Sequence, residues 1–162
     1  MAGSMGLGLW YRAHFIAEIR AKRCLVKILE LLMSEIRYGK SAMPECCEKL
    51  GQRLEEPYGS GFRETIRRYR EGGQDSFAEA FCGGMGTCLV ELPLKKEDRE
   101  VFLEPFRNRG FQDGQMQLKC LEQSRDQLIN SISLEEKELP GKCKMAVSLG
   151  GMSGLVMLIL LL

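Results

Sequence analysis

The chain is poor in the residues that usually carry out chemistry. Among its 162 residues there is one histidine, His14, and one tryptophan, Trp10. A general base needs a nucleophile or carboxylate at a defined geometry, and the sequence places none beside His14. The seven cysteines form no Cys-x-x-Cys pair, so a zinc site with the usual ligand spacing is not expected. These absences argue against an enzyme and against a bound cofactor or metal.

An excess of charge of either sign is also missing. The 23 basic and 22 acidic residues give a formal net charge of +1, whereas nucleic-acid binding requires a basic surface. The glycines of 83–86 lack the Lys-Ser or Lys-Thr of a phosphate-binding loop, so we interpret them as a loop that ends a helix. The acidic pair Glu135-Glu136 is expected on a solvated face. The cysteines are interpreted as reduced thiols that fill small apolar spaces in a cytoplasmic protein.

One long apolar run is present, at residues 145–162, with the sequence MAVSLGGMSGLVMLILLL. As a helix these residues would span about 27 Å, close to the roughly 30 Å hydrocarbon thickness of a bilayer. We therefore expect a C-terminal transmembrane helix at 142–162, with a buried terminal core helix as the alternative. Lys142 and Lys144 precede the run, which places the body of the protein in the cytoplasm. Gly150 and Gly154 form a Gly-x-x-x-Gly pair on which another helix could pack.

The N-terminal residues 1–11 are uncharged and are followed by Arg12. They are too few to span a bilayer, and no basic region precedes them as in a signal peptide. We interpret 1–14 as a partial membrane helix. A frayed leader and a short interfacial anchor are the alternatives.

Residues 15–141 carry helical periodicity and no convincing strand pattern. Apolar residues from Ile16 to Ile36 recur at steps of three and four. Pro44 suits the first turn of a second helix, and Pro57 separates that helix from a third. The spacing of Ser76 and Glu79 fits a capping box, and a near-heptad stripe from Leu118 to Leu139 predicts a long last helix packed along the first. The predicted fold is an all-α, antiparallel bundle of about six helices.

The third helix carries a basic face that could bind a partner. Arg63, Arg67 and Arg70 recur at i, i+4 and i+7, so they share one side of the helix. That face suits an acidic protein or anionic lipid headgroups. Glu64 and Glu71 partly neutralise it, and an ordinary solvated face is the alternative.

The string LLMSEIRYG at residues 31–39, followed by Pro44-Glu45, resembles the stage III sporulation protein AB family. Members carry an L-L-E-x-E-I-x-Y-like segment and a short turn with a proline before the next helix. Met33 stands where the family commonly has a glutamate. The resemblance continues through the Ser76 capping box, the region 118–128 and the residues 148–151.

The resemblance implies a mother-cell membrane protein of an endospore-forming bacterium, with most of the chain in the cytoplasm. Such proteins are similar to the cytoplasmic domains of F-type platform proteins of type II secretion systems and type IV pili. The implied role is a non-enzymatic scaffold of a secretion-like channel between mother cell and forespore. Its expected partners are a cognate secretion-type ATPase, small membrane proteins of the same complex and membrane lipid, without nucleic acid or a small-molecule substrate. The residues expected to dock partners are Glu35, Arg37 and Tyr38 of the family motif and the arginines at 63, 67 and 70.

Two alternatives differ in function. The first is a fragment of a platform protein from a pilus or type II secretion system, which usually carries two bundle domains where this chain has one. The second is a tail-anchored helical adaptor with no role in a channel.

Overall fold

The computed structural model describes residues 2–72, 77–107 and 114–161. These residues form six α-helices and no β-strand. The helices are α1 (Ala2–Gly39), α2 (Met43–Arg53), α3 (Tyr58–Glu71), α4 (Phe77–Val90), α5 (Lys96–Arg107) and α6 (Gly114–Leu161). An all-helical fold is therefore correct for the described residues. The predicted N-cap at Ser76 lies outside them.

The first and last helices run antiparallel along each other. Arg23 of α1 pairs with Glu136 of α6. Arg37, which is closer to the C-terminal end of α1, pairs with Glu122 of α6. Residue numbers therefore increase along α1 in the direction in which they decrease along α6. Leu121 and Leu128 of the predicted heptad stripe are fully buried, which confirms the predicted packing of the last helix against the first.

Prolines set the borders of the short helices between them. Pro44 lies in the first turn of α2, where the missing N–H costs no helical hydrogen bond. Pro57 directly precedes α3. The chain leaves α1 through Lys40, whose φ of 48° is left-handed, although glycine adopts such a conformation more easily. These borders place α2 and α3 side by side.

Helices α3 and α4 approach each other closely at two glycines. A Cβ on Gly84 would lie 2.5 Å from the Thr65 hydroxyl oxygen, and one on Gly61 would lie 2.6 Å from the Met85 sulfur. The glycines of 83–86 therefore lie within α4, and the expectation that they end a helix is wrong. Small residues at a crossing let two backbones pack at short range, which offsets the low helix propensity of glycine.

One hydrophobic core joins all six helices. Aromatic rings of three helices meet at its centre, where Phe81 stacks on Phe106 at 3.8 Å between ring centroids and contacts Phe62 edge-on. A smaller cluster of Phe15, Ile19 and Ile132 continues the contact between α1 and α6. Beyond it, every residue from 6 to 14 of α1 is exposed.

The structure corrects the predicted C-terminal transmembrane helix. Among the residues that were described, no helix has a stretch that is both long and apolar enough to cross a bilayer. The residues from 142 to 161 continue α6 as one helix, which runs through Pro140. The proposed division into 1–14, 15–141 and 142–162 remains a prediction.

Candidate functional site

The three arginines predicted to bind a partner line a cleft between α2 and α3. Arg63, Arg67 and Arg70 line it from α3, together with Ile66 and Glu71, and Glu48 and Gln52 line it from α2. The cleft has a volume of about 420 Å³. The sequence therefore identified three neighbouring side chains correctly, but it did not show that α2 forms the opposite wall.

Each of these arginines has a carboxylate partner. Arg63 pairs with Glu56 and also donates a hydrogen bond of 2.7 Å to the Gly51 carbonyl oxygen. Arg70 pairs with Glu48 across the cleft, with 2.7 Å between Nη2 and Oε1. This face therefore carries paired opposite charges, and its arginines are more strongly neutralised than the sequence suggested.

Arg67 is held between two glutamates of its own helix. Its guanidinium lies 2.6 Å from Glu64 and 2.7 Å from Glu71. Hydrogen bonds from Arg67 and Arg68 lower the pKa of Glu64 to about 2. Hydrogen bonds to Glu64 and Glu71 raise the pKa of Arg67. Glu64 and Arg67 therefore keep their charges throughout the physiological pH range.

The motif residues Glu35 and Arg37 join α1 to two other helices. The Glu35 carboxylate accepts a hydrogen bond of 2.9 Å from Lys49 of α2, and this contact lowers its pKa. Arg37 lies 3.0 Å from Glu122 of α6. Tyr38, in contrast, is 79% exposed, so it is the motif residue most accessible to a partner.

The two predicted docking sets flank one helix but remain separate. Helix α2 contacts Glu35 through Lys49 and contacts Arg70 through Glu48. A partner that covers the exposed side of α2 could therefore reach both sets. Gly150 and Gly154 lie in the last third of α6, and helix packing on them remains a prediction.

A buried ion cluster, which the sequence did not reveal, joins α1, α5 and α6. Lys22 is fully buried, and its Nζ lies 2.8 Å from Glu135, 2.9 Å from Asp98 and 3.4 Å from Glu18. Lys95 also contacts Glu135 and Glu18. The expectation that Glu135 is solvated is thus wrong, whereas its neighbour Glu136 is exposed. The i, i+4 spacing of Glu18 and Lys22 was the one local signal for this cluster.

This cluster holds its own cation. Carboxylate oxygens of Glu18, Asp98 and Glu135 lie within 4.8 Å of one another, as in a metal site. The ammonium group of Lys22 lies within 3.4 Å of all three, and together with Lys95 it offsets part of their negative charge. Lys22 also donates a hydrogen bond of 3.1 Å to the Ser131 hydroxyl. The cluster therefore ties three helices together around the ammonium group of Lys22.

The cysteines and the histidine have ordinary surroundings. Cys46 and Cys47 are fully buried, and burial raises the pKa of both thiols. A raised pKa keeps a thiol protonated and unreactive. The His14 ring stacks on Trp10 at 5.6 Å between centroids. These contacts agree with a structural role for each residue.

The described residues form an all-helical bundle whose candidate sites are clusters of charged side chains. A family model described as stage III sporulation protein AB matches residues 1–162. The chain therefore belongs to the stage III sporulation protein AB family, as its motif at 31–39 predicted, and membership assigns it to sporulation.

A solved structure of stage III sporulation protein AB (SpoIIIAB) has the same fold. The similarity covers 77% of this chain and 98% of that one, with a TM-score of 0.66 and 23% sequence identity. At this identity the comparison concerns the fold and not the function. A search of curated proteins finds no match to the chain.

Proposed function

We propose that this protein is a non-enzymatic scaffold in a secretion-like channel complex between mother cell and forespore. In this role the bundle offers a rigid surface on which a cognate secretion-type ATPase docks, beside small membrane proteins of the same complex. The observation that carries the proposal is the match of the whole chain to a sporulation family. A location at the mother-cell membrane, in contact with lipid, remains a prediction from the family resemblance.

The surface around α2 supports a docking role. Tyr38 is exposed near the C-terminal end of α1, the helix that precedes α2, and the arginine-lined cleft lies between α2 and α3. Aromatic and arginine side chains are the residues that most often dominate protein interfaces. The core beneath them joins all six helices. A force that a bound partner applies at this surface would therefore be transmitted to the whole bundle.

The proposal is tested by crosslinked co-purification of the tagged protein from sporulating cells, with partners identified by mass spectrometry. We expect the wild-type protein to capture the ATPase, and we expect a Tyr38→Ala, Arg70→Glu double variant to lose it. Arg107→Glu on α5 is the matched control, because Arg107 is also an exposed arginine at the end of a helix. It should retain capture.

Other outcomes would redirect the assignment. Recovery of pilin-system components would favour a platform protein of a pilus system. Recovery of neither set would favour an adaptor without a channel role. Equal capture by the double variant and the wild type would show that the ATPase binds elsewhere on the molecule.

A further inference from the structure

The cleft between α2 and α3 combines an apolar floor with a charged rim. Ile66 lines it and is 8% exposed, and charged side chains of both helices surround it. Three arginines and two glutamates are among the lining residues, and each arginine pairs with a carboxylate, so the rim carries charges of both signs. A cleft of this kind suits a side chain that has an aliphatic stem and a charged end.

Two of the three arginines are committed to the fold. Arg67 is held by two glutamates of its own helix. Arg63 donates to the Gly51 carbonyl oxygen at a point where a Cβ on Gly51 would lie 3.2 Å from its Cγ. Arg63 therefore joins α3 to α2 at a close crossing, and its release would disturb their packing.

Arg70 differs, because its carboxylate partner can leave without any change in the fold. It pairs with Glu48 across the mouth of the cleft, and the two side chains are 66% and 47% exposed. An exposed ion pair of this kind contributes little to stability because water competes for both groups. A carboxylate from outside can therefore replace Glu48 on Arg70, since one charge-assisted pair is lost and an equivalent one forms.

We propose that this cleft binds an acidic segment of a protein partner by carboxylate exchange at Arg70. A glutamate or aspartate of the partner pairs with the Arg70 guanidinium, its aliphatic part contacts Ile66, and Glu48 moves into water with its charge unchanged. The planar guanidinium favours a carboxylate, which it can bind with two parallel hydrogen bonds. The inference rests on the proposed docking function and names the chemistry of that contact.

The rim also argues for a protein segment over an anionic membrane. Glu48 and Glu71 lie beside the arginines, and they would repel a flat array of lipid phosphates at short range. A single side chain needs only one exchange, at Arg70. Glu48 thus acts as an internal competitor, and its removal should make binding tighter.

The test is a titration of the purified full chain with a capped, alanine-based helical peptide that carries two glutamates four residues apart. Side-chain Nε–Hε signals of the arginines are followed by NMR at peptide concentrations up to the millimolar range. We expect a saturable shift of the Arg70 signal. The same peptide with glutamines should give none, and the same peptide with lysines should give none.

Variants then separate competition from general charge effects. Glu48→Gln should lower the Kd of the acidic peptide about threefold to tenfold, since the internal competitor is lost. Arg70→Gln should raise it about tenfold or more. Arg67→Gln, the matched control on the same helix, should change it less than Arg70→Gln does. Circular dichroism and urea unfolding confirm that each variant is folded.

Several results would overturn the inference. These are the absence of a saturable Arg70 shift, equal or weaker binding by Glu48→Gln, and tighter binding of the lysine peptide. Arg70-dependent binding to phosphatidylglycerol vesicles without binding to the peptide would assign the cleft to lipid instead. If ATPase capture is insensitive to Glu48 and Arg70, the inference fails while the scaffold proposal stands. If the acidic peptide binds as expected but no ATPase is captured, the scaffold proposal fails while the inference about the cleft stands.

Discussion

At the scale of single residues, Lys22 shows how a charge can be buried in a helical bundle. Its side chain is fully buried, with carboxylates of three helices around its ammonium group. Taking an isolated ion out of water costs far more than most single interactions return, so partners with good geometry are needed. The cluster therefore adds specificity to the packing of α1, α5 and α6, because these helices must meet in one register to satisfy it.

The first prediction concerns the loss of this cation. Lys22→Ala leaves three buried carboxylates without it, and we expect the free energy of unfolding to fall by about 3–5 kcal/mol. Lys27→Ala, an exposed lysine of the same helix, should change it by less than about 0.5 kcal/mol. Urea unfolding followed by circular dichroism measures both. Similar small losses for the two variants would show that the cluster contributes little.

The second prediction concerns pH. Burial alone would raise the pKa of Glu135, but hydrogen bonds from Lys22 and Lys95 outweigh it, so the pKa lies below the ordinary 4.5. A carboxyl group with a lowered pKa in the folded state stabilises the fold above its ordinary pKa. That contribution is lost as the pH falls below 4.5 and through the lowered pKa of the folded state.

Glu135→Gln should therefore make the fall in stability below this pH shallower than in the wild type. Glu136→Gln, the exposed neighbour, is the control and should leave the acid slope near that of the wild type. Urea midpoints measured from pH 7 to pH 3 provide the comparison. An unchanged slope in Glu135→Gln would contradict the assigned ion pairs.

At the scale of helices, the crossing of α3 and α4 depends on glycine. A Cβ on Gly84 would lie 2.5 Å from the Thr65 hydroxyl, 2.6 Å from its backbone nitrogen and 2.8 Å from its Cα. Two of these three atoms belong to the backbone, so relief of the overlap requires the helices to move apart. Gly86, two residues later in the same helix, has no heavy atom within 4 Å of such a Cβ.

The third prediction uses this pair as a matched test. Gly84→Ala should destabilise the protein by about 1–3 kcal/mol through overpacking. Gly86→Ala should stabilise it by about 0.5–1 kcal/mol, because alanine favours a helix and no contact opposes it. Thermal unfolding of both variants checks the opposite signs. The same sign for both would mean that the crossing is looser than described.

At the scale of the whole molecule, burial is uneven along the two long helices. The middle of α1 contributes Leu25, Leu29 and Leu32, all fully buried, to the common core. Residues 6–14 of the same helix are all exposed. Because most helix stability in proteins comes from tertiary packing, the two parts should open with very different free energies.

The fourth prediction follows for hydrogen exchange. Amides at 6–14 should exchange at least about a hundredfold faster than those at 25–32, which open only with the bundle. Exchange measured by mass spectrometry on overlapping peptides resolves the two stretches. Equal protection would indicate that another surface covers residues 6–14 in solution.

The sequence predicted the helices better than it predicted their contacts. Apolar periodicity located the helices, and Pro44 and Pro57 located two of their borders. The motif at 31–39 identified the family, and the spacing of Arg63, Arg67 and Arg70 placed them on one face. These are local signals, which need no knowledge of neighbours in space.

The errors share one cause. The glycines of 83–86 and the acidic Glu135 were judged by their residue types, and each has a tertiary partner that reverses the usual preference. The apolar run at 145–162 was judged by its length and composition alone. For the glycines and for Glu135, the neighbour that decides the outcome lies on another helix.

The all-helical class, the approximate helices and the family could thus be predicted from residue order alone, because they follow from periodicity and from short motifs. Three pairings required the folded structure: Lys22 meets Asp98 and Glu135, α4 contacts Thr65 of α3, and Glu48 faces Arg70 across a cleft. Such pairings depend on where distant parts of the chain meet. The contribution of a buried charge or of a helical glycine to stability depends on these tertiary contacts and not on the residues beside it in the chain.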